Sequence, residues 1–375
     1  MLAFTVTVVG VSDKAVIGAI RQLADLTLMA LPLRSPYPQQ AQRTGYRPCD
    51  LRPYHEGLVQ LTRYPARGRK TPNGPIAVPS SVASPEILDT FPAFERYWRH
   101  VRFQPLSVQI DRWENEYMAE WPELLEKLKR NYSEEGVDWK RIAQSRIFPH
   151  LAERLPRMRT LHRRLLRGLP QSWAASRRVL NLDFPVHFVI YVGIGVGAGW
   201  ATQYGGKAAC LFGLENAAEI SPGKNGGKSG AVSHEVAHLA HDEWRRRNGL
   251  RGIEQPRGPL WQLYEEGFAT ESERRIESSR QFRLRTGRPD WLPWCMSHRA
   301  WLAAKFLRDM KARRSVRPFF GSWYNIDGRI ECGYYLGAEI VHEWTRTASL
   351  EDVAVLPEAV VRRKVRSALR RLAEN

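Results

Sequence analysis

Two histidines four residues apart, His234 and His238, stand in the run AVSHEVAHLAHDEW with Glu235 directly after the first. On an α-helix, residues i and i+4 lie one above the other on the same face. Both imidazoles can therefore aim a nitrogen at one point about 2 Å from each, the distance at which nitrogen binds zinc. A carboxylate at Glu235 can take a proton from water that such an ion acidifies from a pKa of 15.7 toward roughly 7. The spacing predicts two ligands of a catalytic zinc site and its general base. A helix with two unliganded histidines has the same spacing, so the rest of the chain must supply what such a site still needs.

A catalytic zinc ion is generally held by three protein ligands. His241 is a poor third, because three residues beyond His238 on the same helix it points about 60° away. The pattern His-x-x-Gly-x-x-His is not met, since Asp242-Glu243-Trp244 follows. The next acidic cluster is LYEEGFATESE, on a helix expected from Leu260 to about Arg280. Helical geometry leaves both Glu265 and Glu266 open, each at an edge of the apolar stripe Leu260, Tyr264 and Phe268. Asp242, one turn beyond His238, reads either as a partner for that imidazole or as a solvent-facing carboxylate. His187, His298 and His342 have no sequence neighbour that argues for a role.

Three segments resemble those of gluzincin metallopeptidases of the aminopeptidase N type. Tyr264-Glu265-Glu266-Gly267-Phe268-Ala269 resembles the family's Asn-Glu-Gly-Phe-Ala segment, which implies that Glu266 is the third zinc ligand. Tyr334-Tyr335-Leu336-Gly337-Ala338 resembles its Tyr-x-x-Gly-Ala segment, which implies that Tyr334 stabilises the oxyanion, with Tyr335 the nearby alternative. Phe212-Gly213-Leu214-Glu215-Asn216 resembles its Gly-Ala-Met-Glu-Asn segment, an edge strand whose glutamate holds the substrate's amino terminus. Glu215 would then favour an aminopeptidase. The resemblance spans about residues 207 to 345 and implies one Zn2+ ion, a peptide or protein substrate and hydrolysis of peptide bonds. His238 and Glu266 stand 28 positions apart where the family has about nineteen, and RRRNGLRGIEQPRG can hold the extra residues as a loop. The N-terminal half looks unlike the family's β-sandwich.

These residues need a scaffold. FPVHFVIYV and KAACLFGLEN read as strands joined through a Tyr-Gly-Gly-Lys turn, so a small sheet is expected from about residue 184 to 218, packed beside the His234 helix. Asn248-Gly249 should end that helix, and the remainder to VVRRKVRSALRRLAEN reads as mostly helical. Upstream, Ser84-Pro85-Glu86 predicts a helix start, with helical spacing to about residue 168. Leu155, Met158, Leu161 and Leu165 form an apolar stripe there, flanked by arginines. Residues 1 to 33 read as a strand and an amphipathic helix, followed by a stretch dense in Pro, Gly and Arg. The expected fold is α+β with a zincin-like catalytic core. Its divisions are 1–83 (N-terminal segment and linker), 84–180 (helical region) and 181–375 (catalytic domain).

Two nucleotide signatures fail on context. GIGVGA at 193–198 is followed by strand residues where a dinucleotide fingerprint needs a helix, and Gly227-Lys228-Ser229 lacks the leading glycine and strand of a phosphate loop. With 57 Lys and Arg against 39 Asp and Glu, the net charge of +18 would attract nucleic acid, anionic membrane or acidic partners, although solvated helix faces account for it equally and no nucleic-acid motif accompanies it. The alternative function is therefore a basic nucleic-acid-binding or interaction protein on an inactive gluzincin scaffold. Four dispersed cysteines, Cys49, Cys210, Cys295 and Cys332, make no disulfide framework and point to a reducing compartment. The apolar N-terminus lacks a basic leader, and Asp13, Lys14, Arg21 and Asp25 interrupt it, so no signal peptide or membrane span is expected and the location is expected to be cytoplasmic.

Overall fold

A computed structural model describes residues 85–220, 230–250, 258–278, 289–321 and 323–374. The expectations for residues 1–83 and for the Gly227-Lys228-Ser229 loop lie outside the described residues. The elements begin with β1 (Glu86–Asp89), α1 (Phe91–Val101), α2 (Leu106–Arg112), α3 (Pro122–Glu134), α4 (Trp139–Ile142) and the long α5 (Leu151–Leu180). Three strands follow, β2 (His187–Tyr191), β3 (Trp200–Tyr204) and β4 (Lys207–Gly213), and then α6 (Leu214–Ile220). The remaining helices are α7 (Gly230–Arg247), α8 (Pro259–Ile276), α9 (Trp291–Ser297), α10 (Arg299–Lys311), α11 (Cys332–Trp344), α12 (Leu350–Ala354) and α13 (Glu358–Glu374). The class is α+β, mostly helical with one small sheet.

The sheet runs in the order β1-β2-β4-β3, with β1/β2 and β2/β4 parallel and β3/β4 antiparallel. β2 is buried from Phe188 to Tyr191, as expected of an inner strand covered on both faces, which explains its unbroken apolar sequence. Gly205 and Gly206 join β3 to β4 with φ of +57° and +72°, and Tyr204 pairs with Lys207. Two successive positive φ values suit the right-handed twist of a tight hairpin, and two glycines adopt them without strain.

β1 corrects the reading of residues 84–90. The Ser-Pro-Glu signal predicts a helix there, yet Glu86–Asp89 pairs in register with His187–Ile190, and the helix begins at Phe91. The exposed edge of β2 offers ladder hydrogen bonds that a local cap signal does not match. The segments on either side of residue 180 consequently share one sheet, within a compact unit that spans Ile76–Asn375. Side chains reinforce the link: Trp113 Nε1 donates to the carbonyl of Val192 at 3.0 Å, and the Tyr132 hydroxyl donates to that of Ile194 at 2.7 Å.

Phe188, Cys210 and Phe212 of the sheet share a core with Trp173 of α5, Val232 and Val236 of α7, and Tyr264 and Phe268 of α8. No helix among the described residues is long and apolar enough to cross a membrane.

Candidate metal centre

α7 is an unusual helix for a charged sequence. Ser233 through His241 are all buried, because α5, α8, β3 and β4 all pack against this helix. Its last turn carries Arg245, Arg246 and Arg247, favourable at the negative end of the helix dipole. It ends at Gly249, whose φ of +66° allows the Leu250 amide to reach back to the Arg245 carbonyl at 2.9 Å. α8 starts at Pro259 after Gly258, whose φ is +79°. Ser233 Oγ donates to Glu277 at 2.9 Å, tying the start of α7 to the end of α8.

The two helices bring His234, His238 and Glu266 together, with one ligand atom from each within 4.8 Å of the others. His234 Nε2 lies 3.2 Å from His238 Nε2 and 3.2 Å from Glu266 Oε2, and His238 Nε2 lies 3.6 Å from the same oxygen. A tetrahedral ion with ligands at 2.0–2.1 Å needs its ligand atoms about 3.3–3.4 Å apart. The three atoms therefore form a face of the size that zinc coordination requires, and the donor set fits such an ion.

The charges are arranged to match. Burial works against ionisation of the Glu266 carboxyl, but hydrogen bonds from His234 and His238 outweigh it and hold the group well below the usual carboxylate range. Burial likewise opposes charge on His238, yet Glu266 beside it prevails and raises its pKa to about 9. A half-buried carboxylate between two imidazoles is a place where positive charge is stabilised.

A cleft of about 190 Å³ opens over the cluster. His234, Glu235 and His238 line it from α7, Glu265 and Glu266 from α8, Tyr334 from α11, and residues 199–201 close it from the edge strand β3. Glu235 lies directly beneath Gly199: a Cβ on that glycine would stand 2.9 Å from Glu235 Oε1, so the glycine makes the room that the carboxylate occupies. The Tyr334 ring centre is 5.7 Å from that of His234. Tyr335 points instead into the core, 2% exposed. Of the two tyrosines, Tyr334 is the one that faces the cleft.

The placement of Tyr334 depends on close helix packing. A Cβ on Gly267 of α8 would fall 2.2 Å from the Gly337 carbonyl carbon of α11, and one on Gly337 would fall 2.1 Å from the Leu263 oxygen. The two backbones touch, as only glycines permit.

Glu215 is not at the cleft. It is fully buried, one oxygen accepting from the Gly193 amide at 2.8 Å and the other from the Gly195 amide at 2.9 Å. Burial pushes its pKa up, with these two amides working the other way. β4 is an inner strand covered by β3, and Glu215 stands in the first turn of α6, where it latches the glycine loop that leads to β3; the amine-holding role stays what the resemblance alone implies. The same latch occupies the amides of GIGVGA that a dinucleotide phosphate would have needed.

His241 contacts the Tyr264 hydroxyl at 3.0 Å and packs on Phe268 with ring centres 4.8 Å apart, a core histidine remote from the ligand face. Asp242 exerts its charge on Arg246. A carboxylate that approaches a ligand imidazole is Glu273, buried on α8, with Oε2 3.6 Å from His234 Nδ1. The sequence reading missed it, although its position seven residues, or two turns, after Glu266 places both on one helix face.

No protein-family model, curated protein or solved structure matches the chain. The chemistry of the site rests on its own geometry.

Proposed function

We propose that the chain is a zinc-dependent peptidase of the gluzincin type, with the zincin-like arrangement of a small sheet, a His-Glu-x-x-His helix and a glutamate helix at its core. The observation that carries this reading is the coincidence of a tetrahedral-sized ligand face with Glu235 and Tyr334 lining the same cleft. His234, His238 and Glu266 would hold the ion, which when bound supplies Lewis acidity and acidifies water. Glu235 accepts the proton of the attacking water and passes it to the leaving amine. Tyr334 donates its hydroxyl hydrogen to the oxyanion that develops on the scissile carbonyl. β3, an edge strand of the sheet among the described residues, runs beside Glu235 and offers backbone groups along which an extended peptide can lie. With Glu215 away from the cleft, the reading is peptide-bond hydrolysis without a commitment to amino-terminal substrates.

The test is metal content by mass spectrometry of wild type, His238→Ala and Glu235→Gln, paired with hydrolysis of a fluorogenic peptide library. The expected pattern is one zinc per chain in the wild type, none in His238→Ala, and full zinc with hydrolysis reduced by about 10²–10⁴-fold in Glu235→Gln. A wild type that takes up no zinc when supplied with it refutes the proposal.

A further inference from the structure

We infer that the surface formed by α10 and α13 binds single-stranded nucleic acid, with arginines and lysines of both helices on the phosphates and Trp301 stacked on a base. None of its residues lines the cleft, so it stands apart from the peptidase reading. α13 packs along α10, and the pair concentrates the charge of the chain. α10 carries four basic residues against one acidic and α13 six against two, a net of +7 within 30 residues of a chain whose total is +18. The carboxylates do little to offset it. Asp309 is buried and held by Lys305 and Arg314, Glu358 is held by Arg362, and Glu374 is the last residue of α13. That leaves Arg308, Lys311, Arg363, Arg366 and Arg370 exposed, with no ion pair to the described residues. On α13, Val361, Val365, Ala368 and Leu369 are buried, and Arg363, Arg366 and Arg370, at i, i+3 and i+7, lie together on the opposite face. Such a row gains by meeting a chain of phosphates, whose condensed counterions it releases. An anionic membrane fits less well, since a helix lying in the lipid interface needs a free apolar face and that of α13 is in the core.

A second observation, independent of charge, is aromatic. Trp301 of α10 and Met296 of α9 are 38% and 60% exposed although large and apolar. Trp294 and His298 stack with ring centres 4.3 Å apart, and Trp301 meets both at near right angles with its centre 6.3 Å away, so its ring is braced at the surface. Trp301 and Arg308 are seven residues, or two turns, apart and therefore share a face of α10, about 10 Å from each other along the axis. A ring held beside a row of cations lets a base stack while the backbone next to it is neutralised. A duplex keeps its bases inside and gains nothing from the ring, which is why the single strand is the better fit.

Fluorescence anisotropy of a labelled oligothymidylate of about 20 nucleotides, and of a duplex of the same length, tests this on the full chain between about 50 and 200 mM NaCl. The variants are Trp301→Ala, Trp301→Phe, the triple Arg363→Gln/Arg366→Gln/Arg370→Gln and, as a control of equal charge on α5, the triple Arg163→Gln/Arg167→Gln/Arg178→Gln, each checked by circular dichroism. Trp301→Ala should weaken binding of the single strand by at least about fivefold, with duplex binding unchanged and Trp301→Phe restoring most of the loss. The α13 triple should reduce the slope of log Kd against log salt by about 2, since each cation on a single strand contributes about 0.7, and the α5 triple should leave it near the wild-type value. No binding of the single strand at about 50 mM NaCl overturns the inference. So does an equal loss in the α5 triple, which would make the attraction a property of the whole charged surface. An unchanged affinity in Trp301→Ala overturns it as well, because the surface would then read phosphate or acidic protein without a base.

Discussion

At the scale of single residues, the site is organised by carboxylates with different tasks set by position. Glu266 completes the ligand face, Glu235 occupies the room left by Gly199, and Glu273 stands behind His234. A carboxylate facing the far nitrogen of a metal-binding imidazole fixes its tautomer and raises its basicity. Glu273→Gln should therefore weaken zinc binding by about 10–100-fold, measured by competition with a chromogenic chelator, while the fold remains intact by circular dichroism. Unchanged zinc affinity would place Glu273 outside the metal centre. Glu215 holds the loop through the Gly193 and Gly195 amides. Glutamine there can accept only one of the two amide hydrogen bonds and turns its own NH2 toward the other, so Glu215→Gln should cost about 1–3 kcal/mol in chemical denaturation. The ratio of rates on free-amine and acetylated substrates should stay as in the wild type; a selective loss on free amines would return Glu215 to the cleft.

At the scale of elements, the crossing of α8 and α11 sets where Tyr334 stands. Because the backbones meet at Gly267 and Gly337, a methyl group at Gly337 has nowhere to go except against the Leu263 carbonyl. Gly337→Ala should force the helices apart and destabilise the protein by about 1–3 kcal/mol or more, read from the urea midpoint. On the proposed reading hydrolysis should fall further than stability predicts, because Tyr334 would move away from the oxyanion it is proposed to stabilise, and zinc content should stay at the wild-type level because α7 and α8 retain the proposed ligands. Wild-type stability in Gly337→Ala would show that the crossing is loose. The glycines of the two motifs, Gly267 and Gly337, are thus explained by packing, and the proposed chemistry concerns only the flanking Glu266 and Tyr334.

At the scale of the whole molecule, α8 and α11 are also joined through a buried carboxylate. Glu271 accepts from Arg274 at 2.8 Å and Arg275 at 3.0 Å, with His342 at 3.2 Å and Thr345 at 3.4 Å. Burial opposes its charge, but Arg274, His342 and Arg275 outweigh burial and lower its pKa. Asp309 is lowered in the same way, burial being outweighed by Lys305 and Arg314. A carboxylate whose folded pKa lies below its unfolded value stabilises the fold fully above the unfolded pKa, and that contribution disappears as pH falls through the folded one. Stability should therefore hold from pH 7 to about 5 and decline below about 4.5, with Glu271→Gln less stable at pH 7 and less sensitive to acid. Urea midpoints at pH 7, 5, 4 and 3 measure this; equal acid sensitivity in Glu271→Gln would exclude Glu271 as a source.

Much of the site was legible in the chain because its spacing is local. His234, Glu235 and His238 need only one helical turn to share a face, Gly205-Gly206 needs only its own φ angles to make the hairpin, and Asn248-Gly249 needs only a left-handed residue to stop α7. Between Glu265 and Glu266 helical geometry alone could not choose, since the answer depends on the angle at which α8 meets α7. Whether Glu215 faced substrate depended on which strand lay at the sheet edge. The strand at Glu86–Asp89 was invisible because its partner lies about a hundred residues away. Sequence by itself determined the histidine face of α7, the glycine hairpin and the stop of α7, which follow from neighbouring dihedral angles. Tertiary structure alone decided which carboxylate reaches the metal face, which latches a loop and which faces the cleft, because those roles depend on distances between elements that the local chain does not encode.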